Sequence, residues 1–276
     1  MANKVKLVRL KERTYNRLTA YGKWGETMDE LVNRLLDEYE KLKEKNASVE
    51  MKEKKTKPEL WTEKHRPKKI DEMVLEPDLF IKLKSCVETK NIPNLLLYGP
   101  VGVGKTTAAH CLVNEIFGEN APLAFKEYNA AELTKKEVRD TIEKLAKCGG
   151  IVETPYRICI IDECEKMSGD VESMLRTLME KYSQGIRFIL ICNDITHKAI
   201  TEPIKSRCSI IEFKKPSTNM IIDRLSQIAT AENFNISKEE LMEIAEKAKG
   251  DLRKAVEMLQ DKFNARFVDW GELIFK

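Results

Sequence analysis

The chain has 276 residues, 42% of them hydrophobic, which is enough for one large domain or two to three smaller ones with a sizeable core. Charged residues make up 34%, but the formal net charge is only +3, so composition alone does not require a nucleic-acid partner and any basic surface has to be local. The sequence contains no run of eighteen apolar residues and no signal peptide, which argues against membrane-spanning and secreted classes and predicts a soluble, cytoplasmic protein.

The first 45 residues predict a small strand-helix-helix module. Val5–Leu10 alternates weakly between apolar and polar residues, as a short strand does, and the capping box Thr27-x-x-Glu30 opens a helix. The apolar stripe of that helix consists of Leu31, Leu35, Tyr39 and Leu42. A unit this small cannot bury a core alone, so we expect it to pair with a copy of itself or to pack on the rest of the chain.

The order of these elements resembles the ribbon-helix-helix family, in which two strands pair in a dimer and read the DNA major groove. The resemblance covers residues 1–45 only. Among the strand positions expected to face outward, only Arg9 is a good base reader. DNA binding and dimerisation without DNA contact therefore remain equally open for this module.

Residues 46–58 are rich in Lys and Glu, which indicates an exposed helical extension or a linker.

From residue 59 to residue 215, strand and helix patterns alternate, as in a mostly parallel sheet that helices cover on both faces. The strand candidates are Asn94–Tyr98, Ala124–Tyr128, Arg157–Ile161, Phe188–Cys192 and Ile210–Phe213. The predicted fold class is therefore α/β, with the core domain over residues 59–215.

A phosphate-binding loop follows the first of these strands. Its residues fit G-x-x-x-x-G-K-[ST], and the helical pattern of Thr107–Phe117 comes directly after it. Glycines let the loop point its N–H groups at phosphate oxygens, and the helix N-terminus adds partial positive charge. Lys105 can reach the β- and γ-phosphates, and the Thr106 hydroxyl can ligate Mg²⁺. The residues predicted to bind the nucleotide here are Gly99, Pro100, Val101, Gly102, Val103, Gly104, Lys105, Thr106 and Thr107.

Two later strands end in polar residues. Arg157–Ile161 runs into Asp162 and Glu163, and a buried parallel strand can carry acids only at its C-terminal end, where ligands bind. Asp162 is placed to hold Mg²⁺ through water, and Glu163 to polarise the attacking water as a general base. Asn193, after Phe188–Cys192, can contact the γ-phosphate and that water, although an asparagine there is also common turn chemistry.

From residue 216 to residue 276 only helical patterns occur, which predicts a lid of three helices. The second helix starts at the capping box Ser237-x-x-Glu240 and ends at Gly250, and Asp251 caps the third.

The seven cysteines form no C-x-x-C pair and several fall inside strand or helix patterns, which predicts reduced core residues. The three histidines are scattered, which also argues against a metal cluster.

Six stretches occur in one order that matches a known family. They are Trp61–Pro67, Gly99–Thr106, Asp162–Glu163, Cys192–Asn193, Glu202–Cys208 and Gly250–Arg253. On them, the chain from about Leu60 to Gln260 resembles the small, ATP-hydrolysing subunit of the sliding-clamp loader, called replication factor C in archaea and eukaryotes and carried in similar form by phages. This subunit belongs to the AAA+ ATPases, and the resemblance implies ATP and Mg²⁺ as cofactors.

The resemblance also implies roles for individual residues around the nucleotide. Glu63–Pro67 should lie near the adenine, and Arg66 and Pro67 within this stretch are expected to bind the nucleotide. Asn193 would be the sensor-1 residue, and Arg253 the sensor-2 arginine that reaches the γ-phosphate from the lid of the same chain. Lys105, Asn193 and Arg253 would serve both binding and catalysis.

Two further residues are implied to respond to other molecules. Arg207 would be an arginine finger that completes the neighbouring subunit's site, supplying positive charge to the transition state only when subunits meet. Asn129 resembles the polar switch that restrains the base until DNA binds.

The chain departs from the family in three places. His65 stands where the family usually has tyrosine, so we expect base stacking there to be altered. Ala130–Lys135 replaces an acidic-arginine stretch, so the family's DNA contact is not carried over there. Family members continue after the lid into a third helical domain that forms the oligomer collar, whereas only Asp269–Phe275 follows here. We therefore expect the first 45 residues to supply subunit contacts.

The predicted function is ATP hydrolysis that drives the loading of a sliding clamp onto primer–template DNA in a prokaryotic or viral host cell. The expected partners are other clamp-loader subunits, the clamp and the DNA. A second interpretation is an AAA+ remodeler or helicase loader recruited to DNA by the N-terminal module. A third is a DNA-binding regulator or scaffold in which the nucleotide is only structural, against which the intact Lys105, Asp162 and Glu163 count.

Overall fold

The computed structural model describes residues 30, 31, 33, 34, 59–147 and 156–274. Contacts divide the chain into two units, Met1–Glu59 and Leu60–Lys276. In the first unit the four described residues before residue 59 are helical, and Leu31 among them is buried. They agree with the helix predicted after Thr27. The strand and the remaining helical residues of the predicted module lie outside the described residues, so the module stays a prediction.

The second unit contains a five-stranded sheet in which every neighbouring pair of strands is parallel. The strands are β1 (Leu95–Tyr98), β2 (Phe125–Asn129), β3 (Arg157–Asp162), β4 (Ile186–Cys192) and β5 (Ser209–Glu212). Their spatial order is β2-β3-β4-β1-β5. All five lie where the sequence predicts them, with boundaries that move by one or two residues, and the predicted α/β class is confirmed.

Helices connect the strands and form the lid. Before and within the sheet region they are α1 (Trp61–Lys64), α2 (Pro77–Thr89), α3 (Lys105–Phe117), α4 (Ala121–Ala124), α5 (Lys135–Glu137), α6 (Glu143–Lys147), α7 (Gly169–Lys181) and α8 (Glu202–Lys205). After the sheet they are α9 (Thr218–Ala231), α10 (Lys238–Ala248) and α11 (Leu252–Ile274). A π-helical turn, Val138–Ile142, joins α5 to α6, and 3₁₀ turns occur at Ile70–Glu72, Gly118–Asn120 and Cys164–Lys166.

The central strands β1, β3 and β4 are almost fully buried on both faces, as strands between two layers of helices must be. Alternate residues of β1 pack into two separate clusters: Leu95 and Leu97 contact the cluster that includes α3, and Leu96 contacts the cluster that includes α7. The result is a three-layer unit.

The lid helices enclose a third cluster. Trp61 of α1 belongs to it and packs against Phe234 and Phe263, with ring centroids 6.4 and 4.8 Å away. The capping box predicted at Ser237 forms both of its hydrogen bonds, and Asp251 caps α11 by accepting from the Lys254 amide at 3.0 Å. The predicted helical lid is therefore present.

The six described cysteines are all free thiols: Cys111, Cys159, Cys164 and Cys192 are buried, and Cys86 and Cys208 are half-buried. In the part of the chain that the structure describes, no group of three or more His, Cys, Asp or Glu side chains is arranged to hold a metal ion. None of the described helices combines the length and the apolar character needed to cross a membrane.

Candidate nucleotide-binding site

The carboxyl ends of four strands meet at one edge of the sheet. The register pairs Asn129 of β2 with Asp162 of β3, and Tyr98 of β1 with Cys192 of β4. The residues that follow these strands therefore emerge side by side. This is the edge at which open α/β sheets bind their ligands.

The loop after β1 can be built only with glycine at its tightest points. Gly99, Gly102 and Gly104 have φ angles of +144°, +77° and +96°, in the region that L side chains rarely adopt. A Cβ atom on Gly99 would lie 2.1 Å from the Phe213 carbonyl oxygen, and one on Gly102 would lie 2.0 Å from an Asp251 carboxylate oxygen. The loop thus has the geometry that a phosphate group requires for close approach to backbone N–H groups.

Lys105 opens α3 and turns its ammonium group back into the loop. The side chain is 7% exposed, and Nζ donates to the carbonyl oxygens of Gly99 and Pro100, both at 2.7 Å, and to Asn193 Oδ1 at 3.0 Å. Burial lowers the pKa of Lys105, and the nearby Asp162 carboxylate opposes that shift. These three neutral oxygens hold the Lys105 ammonium group beside the loop. When a nucleotide binds, the ammonium group can donate to phosphate oxygens instead.

The two residues predicted to hold Mg²⁺ are in direct contact. The Thr106 hydroxyl donates to Asp162 Oδ2 at 2.8 Å, and Asp162 Oδ1 accepts from the Glu163 amide at 2.7 Å. A hydroxyl and a carboxylate are hard oxygen ligands of the kind that Mg²⁺ prefers, and Mg²⁺ sites typically take few protein ligands and complete their shell with water and phosphate. The residues present fit that ion.

Glu163 lies at the strand end with its backbone in the left-handed region, at φ 55°. Its Oε2 accepts two hydrogen bonds of 2.9 Å, one from the Lys166 ammonium group and one from the Asn129 amide. These two bonds, the first by more, lower the pKa of Glu163. The family resemblance predicts the Asn129 contact, whereas the Lys166 contact is not predicted. Lys166 approaches because the 3₁₀ turn Cys164–Lys166 stacks residues three apart, and no pattern in the sequence predicts that turn.

Asn193 links the phosphate loop to the acidic strand end. Its Oδ1 accepts from Lys105, and its Nδ2 donates to Glu165 Oε1 at 2.6 Å. The Glu165 carboxylate can only accept, so it fixes which end of the Asn193 amide faces Lys105. Glu165 is a second residue that the sequence analysis misses.

One cleft of about 510 Å³ is lined by Lys105, Thr106, Asp162, Glu163 and Asn193. Its volume is within the usual range of about 300–1,000 Å³ for small-ligand sites. The structure brings most of the predicted residues to it. The predicted residues that line the cleft are Arg66, Pro67, Val101, Gly102, Val103, Gly104, Lys105, Thr106, Thr107, Asn129, Asp162, Glu163, Asn193 and Arg253. Gly99 and Pro100 contribute through their carbonyl bonds to Lys105. The lid reaches the loop directly, since the Leu252 amide donates to the Gly102 carbonyl at 3.0 Å.

His65, the departure from the family tyrosine, also lines the cleft. Its Nε2 is bonded to Glu232, which Lys64 contacts as well, at 2.6 Å. Arg224 of α9 lines the same cleft and donates to the His65 carbonyl at 2.7 Å, and burial lowers its pKa. The predicted adenine-side segment is therefore tied to the lid by charged contacts.

Arg207 is the one predicted site residue that lies elsewhere. It is absent from the described residues that line this cleft. Its Nε donates to Glu180 Oε1 at 3.0 Å, and its Nη1 donates to the Pro203 carbonyl at 2.7 Å. At this position Arg207 does not face the cleft of its own chain. Its predicted role as an arginine finger therefore requires a second subunit.

Two family models match this part of the chain. Residues 95–216 match the ATPase family associated with various cellular activities (AAA), and residues 223–261 match the RCF1/5-like AAA+ ATPase lid domain. The first match covers the sheet with its phosphate loop and acids. The second covers most of the lid, from α9 into α11.

Curated relatives point the same way. The replication factor C small subunit of Staphylothermus marinus is 40% identical over 202 residues, which are 73% of this chain and 61% of that protein. The protein of the same name from Methanosarcina acetivorans is 39% identical over 226 residues, or 81% of this chain and 65% of that one. The chain thus spans about three fifths of the length of the curated relatives that it matches.

Among solved structures, the Holliday junction branch migration motor RuvB of Thermotoga maritima has a similar fold. The TM-score is 0.59 at 20% identity, covering 71% of this chain and 64% of that chain. At this identity the likeness concerns the fold alone. The parallel sheet with its helical lid is therefore an AAA+ fold.

Proposed function

We propose that this chain, an AAA+ ATPase with a lid like that of replication factor C, binds and hydrolyses ATP as a clamp-loader-type subunit. The observation that carries the proposal is the meeting of Lys105, Thr106, Asp162, Glu163 and Asn193 at one sheet edge. Phosphate binding alone would not need a carboxylate placed to accept a proton from water.

In this proposal the chain's own residues divide the work. The loop N–H groups and Lys105 bind the phosphates, while Arg66 and Pro67 flank the base. Glu163 accepts a proton from the attacking water, and Asn193 orients that water. Thr106 and Asp162 would hold Mg²⁺, which supplies neutralising charge at the β- and γ-phosphates.

Two arginines would stabilise the developing negative charge. Arg253 reaches the γ-phosphate from the lid, which already contacts the phosphate loop through Leu252. Arg207 acts on the neighbouring subunit's nucleotide after leaving its bond to Glu180. Hydrolysis would then depend on assembly. Such dependence would prevent ATP hydrolysis until the subunits have assembled around their target.

The proposed target is a sliding clamp that is loaded onto primer–template DNA in the cytoplasm, together with other loader subunits. The support is the identity to replication factor C small subunits, which extends over most of this chain. The 1–45 module is proposed to dimerise, with DNA contact as an open alternative.

ATP turnover measured with matched DNA substrates and sliding clamps tests the function. A primer–template junction together with a cognate clamp should raise turnover above that given by either alone, whereas blunt duplex of equal length should not replace the junction. Turnover that responds to DNA but never to a clamp would favour the remodeler or helicase-loader interpretation. No turnover under any condition, with ATP bound, would favour the scaffold interpretation.

A further inference from the structure

Lys166 contacts the proposed general base and is not explained by the proposed chemistry. Its ammonium group lies 2.9 Å from Glu163 Oε2, and its side chain is half-exposed. The contact is built into the backbone. The Lys166 amide donates to the Glu163 carbonyl at 2.8 Å, closing the 3₁₀ turn that places the two side chains on the same side.

The direction of this contact matters for catalysis. Glu163 lines the cleft, whereas Lys166 is absent from the described residues that do so. The bond therefore draws the carboxylate oxygen toward a group outside the cleft. The same oxygen also accepts from Asn129 at 2.9 Å, so both donors occupy Oε2. An oxygen that already accepts two hydrogen bonds has less capacity to accept another from water.

We infer that Lys166 is a positioning residue that restrains Glu163 in the isolated subunit, acting beside Asn129. Both contacts end on the ionised carboxylate, but only the Lys166 contact pairs that carboxylate with a cation. Release of the restraint frees Oε2 to receive the proton of the attacking water. This inference rests on the proposed function, because it concerns the base of that reaction.

Lys166→Met tests the inference, because it keeps the length of the side chain and removes its charge. Turnover of ATP by the full chain without DNA or clamp should rise by roughly two- to fivefold, the factor that an exposed ion pair supplies. The rise should be in kcat, with KM for ATP unchanged. Lys166→Arg, which keeps a cationic donor, should stay close to wild type.

Two further variants separate restraint from a structural effect. Lys247→Met removes a similar exposed ion pair, to Glu243 at 2.5 Å in the lid, and should leave turnover unchanged. In a Glu163→Gln background Lys166→Met should give no rise, because the restrained group is gone. If the wild type turns over ATP normally and kcat of Lys166→Met is unchanged or lower, the inference about Lys166 is wrong. The proposed function would still stand. Absence of turnover in the wild type would instead overturn the proposed function.

Discussion

At the scale of single residues, the phosphate loop depends on backbone shapes that few residues tolerate. Gly102 combines a φ of +77° with an Asp251 carboxylate where a Cβ would be. Gly102→Ala should therefore destabilise the chain by about 1–3 kcal/mol and weaken ATP binding. Gly169→Ala is the matched control, since Gly169 begins α7 without a left-handed φ and has nothing within 4 Å of its Cβ position. Denaturant unfolding and nucleotide titration of both variants measure the contrast, and equal losses would contradict it.

The contact between Thr106 and Asp162 leads to a prediction about metal dependence. Thr106→Val keeps the shape of the side chain but removes its oxygen, so the concentration of Mg²⁺ needed for half-maximal turnover should rise, by about 10–100-fold if the hydroxyl is a direct ligand. Thr177→Val is the control, because the Thr177 hydroxyl lies away from the cleft and donates within α7 to the Ser173 carbonyl at 3.0 Å. A Mg²⁺ titration of turnover distinguishes them. An unchanged Mg²⁺ requirement in Thr106→Val would remove Thr106 from the metal site.

The sequence predicts some residues of the site and not others, and the difference has a physical reason. Lys105, Thr106 and Asp162 sit in motifs whose spacing is fixed by one loop and one strand end, so they can be found from the sequence. Glu165 and Lys166 carry no such spacing. Their contacts to Asn193 and Glu163 depend on a 3₁₀ turn and on strands that are neighbours only in the folded sheet.

At the scale of elements, hydrophobic patterning predicts β1, β3 and β4 because each is a short apolar run whose side chains are almost all buried. The edge strands β2 and β5 include exposed side chains and carry a weaker pattern. The strand predicted from Ala124 begins instead at Phe125, since Ala121–Ala124 forms a short helix with Pro122 in its first turn. The π-helical turn Val138–Ile142 goes unpredicted, because its i→i+5 bonds leave no distinct apolar period. Strand order also goes unpredicted, because it is set by tertiary pairing.

The docking of α1 on the lid leads to a prediction about stability. Trp61 is 4% exposed and packs between Phe234 and Phe263, so Trp61→Ala should lower the free energy of unfolding by about 3–5 kcal/mol. Leu60→Ala is the neighbouring control and should change it by less than about 0.5 kcal/mol, because Leu60 is 63% exposed. Urea denaturation compares the two. A small effect at Trp61 would mean that α1 contributes little to the lid.

At the scale of the whole molecule, we propose that a second subunit completes the site, because Arg207 bonds to Glu180 outside the described cleft. Arg207→Ala should leave ATP binding nearly intact and lower turnover by roughly a thousandfold if the arginine is fully engaged in the transition state. Mixed with Glu163→Gln chains, it should recover part of the turnover, because each variant lacks a different half of a shared site. Turnover of the mixture, with co-assembly verified by mass, is the measurement. Failure to recover in verified mixed assemblies would place Arg207 outside the reaction.

The proposed role of Glu163 as the general base of ATP hydrolysis can be tested by substitution. The most direct measurement is ATP turnover of the full chain as wild type and as Glu163→Gln, both saturated with ATP and Mg²⁺. We expect both to bind ATP, the wild type to turn it over, and the variant to be slower by about 10²–10⁴-fold, because an amide cannot accept the water's proton. Glu239→Gln, on the exposed surface of α10, should match the wild type. Turnover of Glu163→Gln at the wild-type rate would contradict the account.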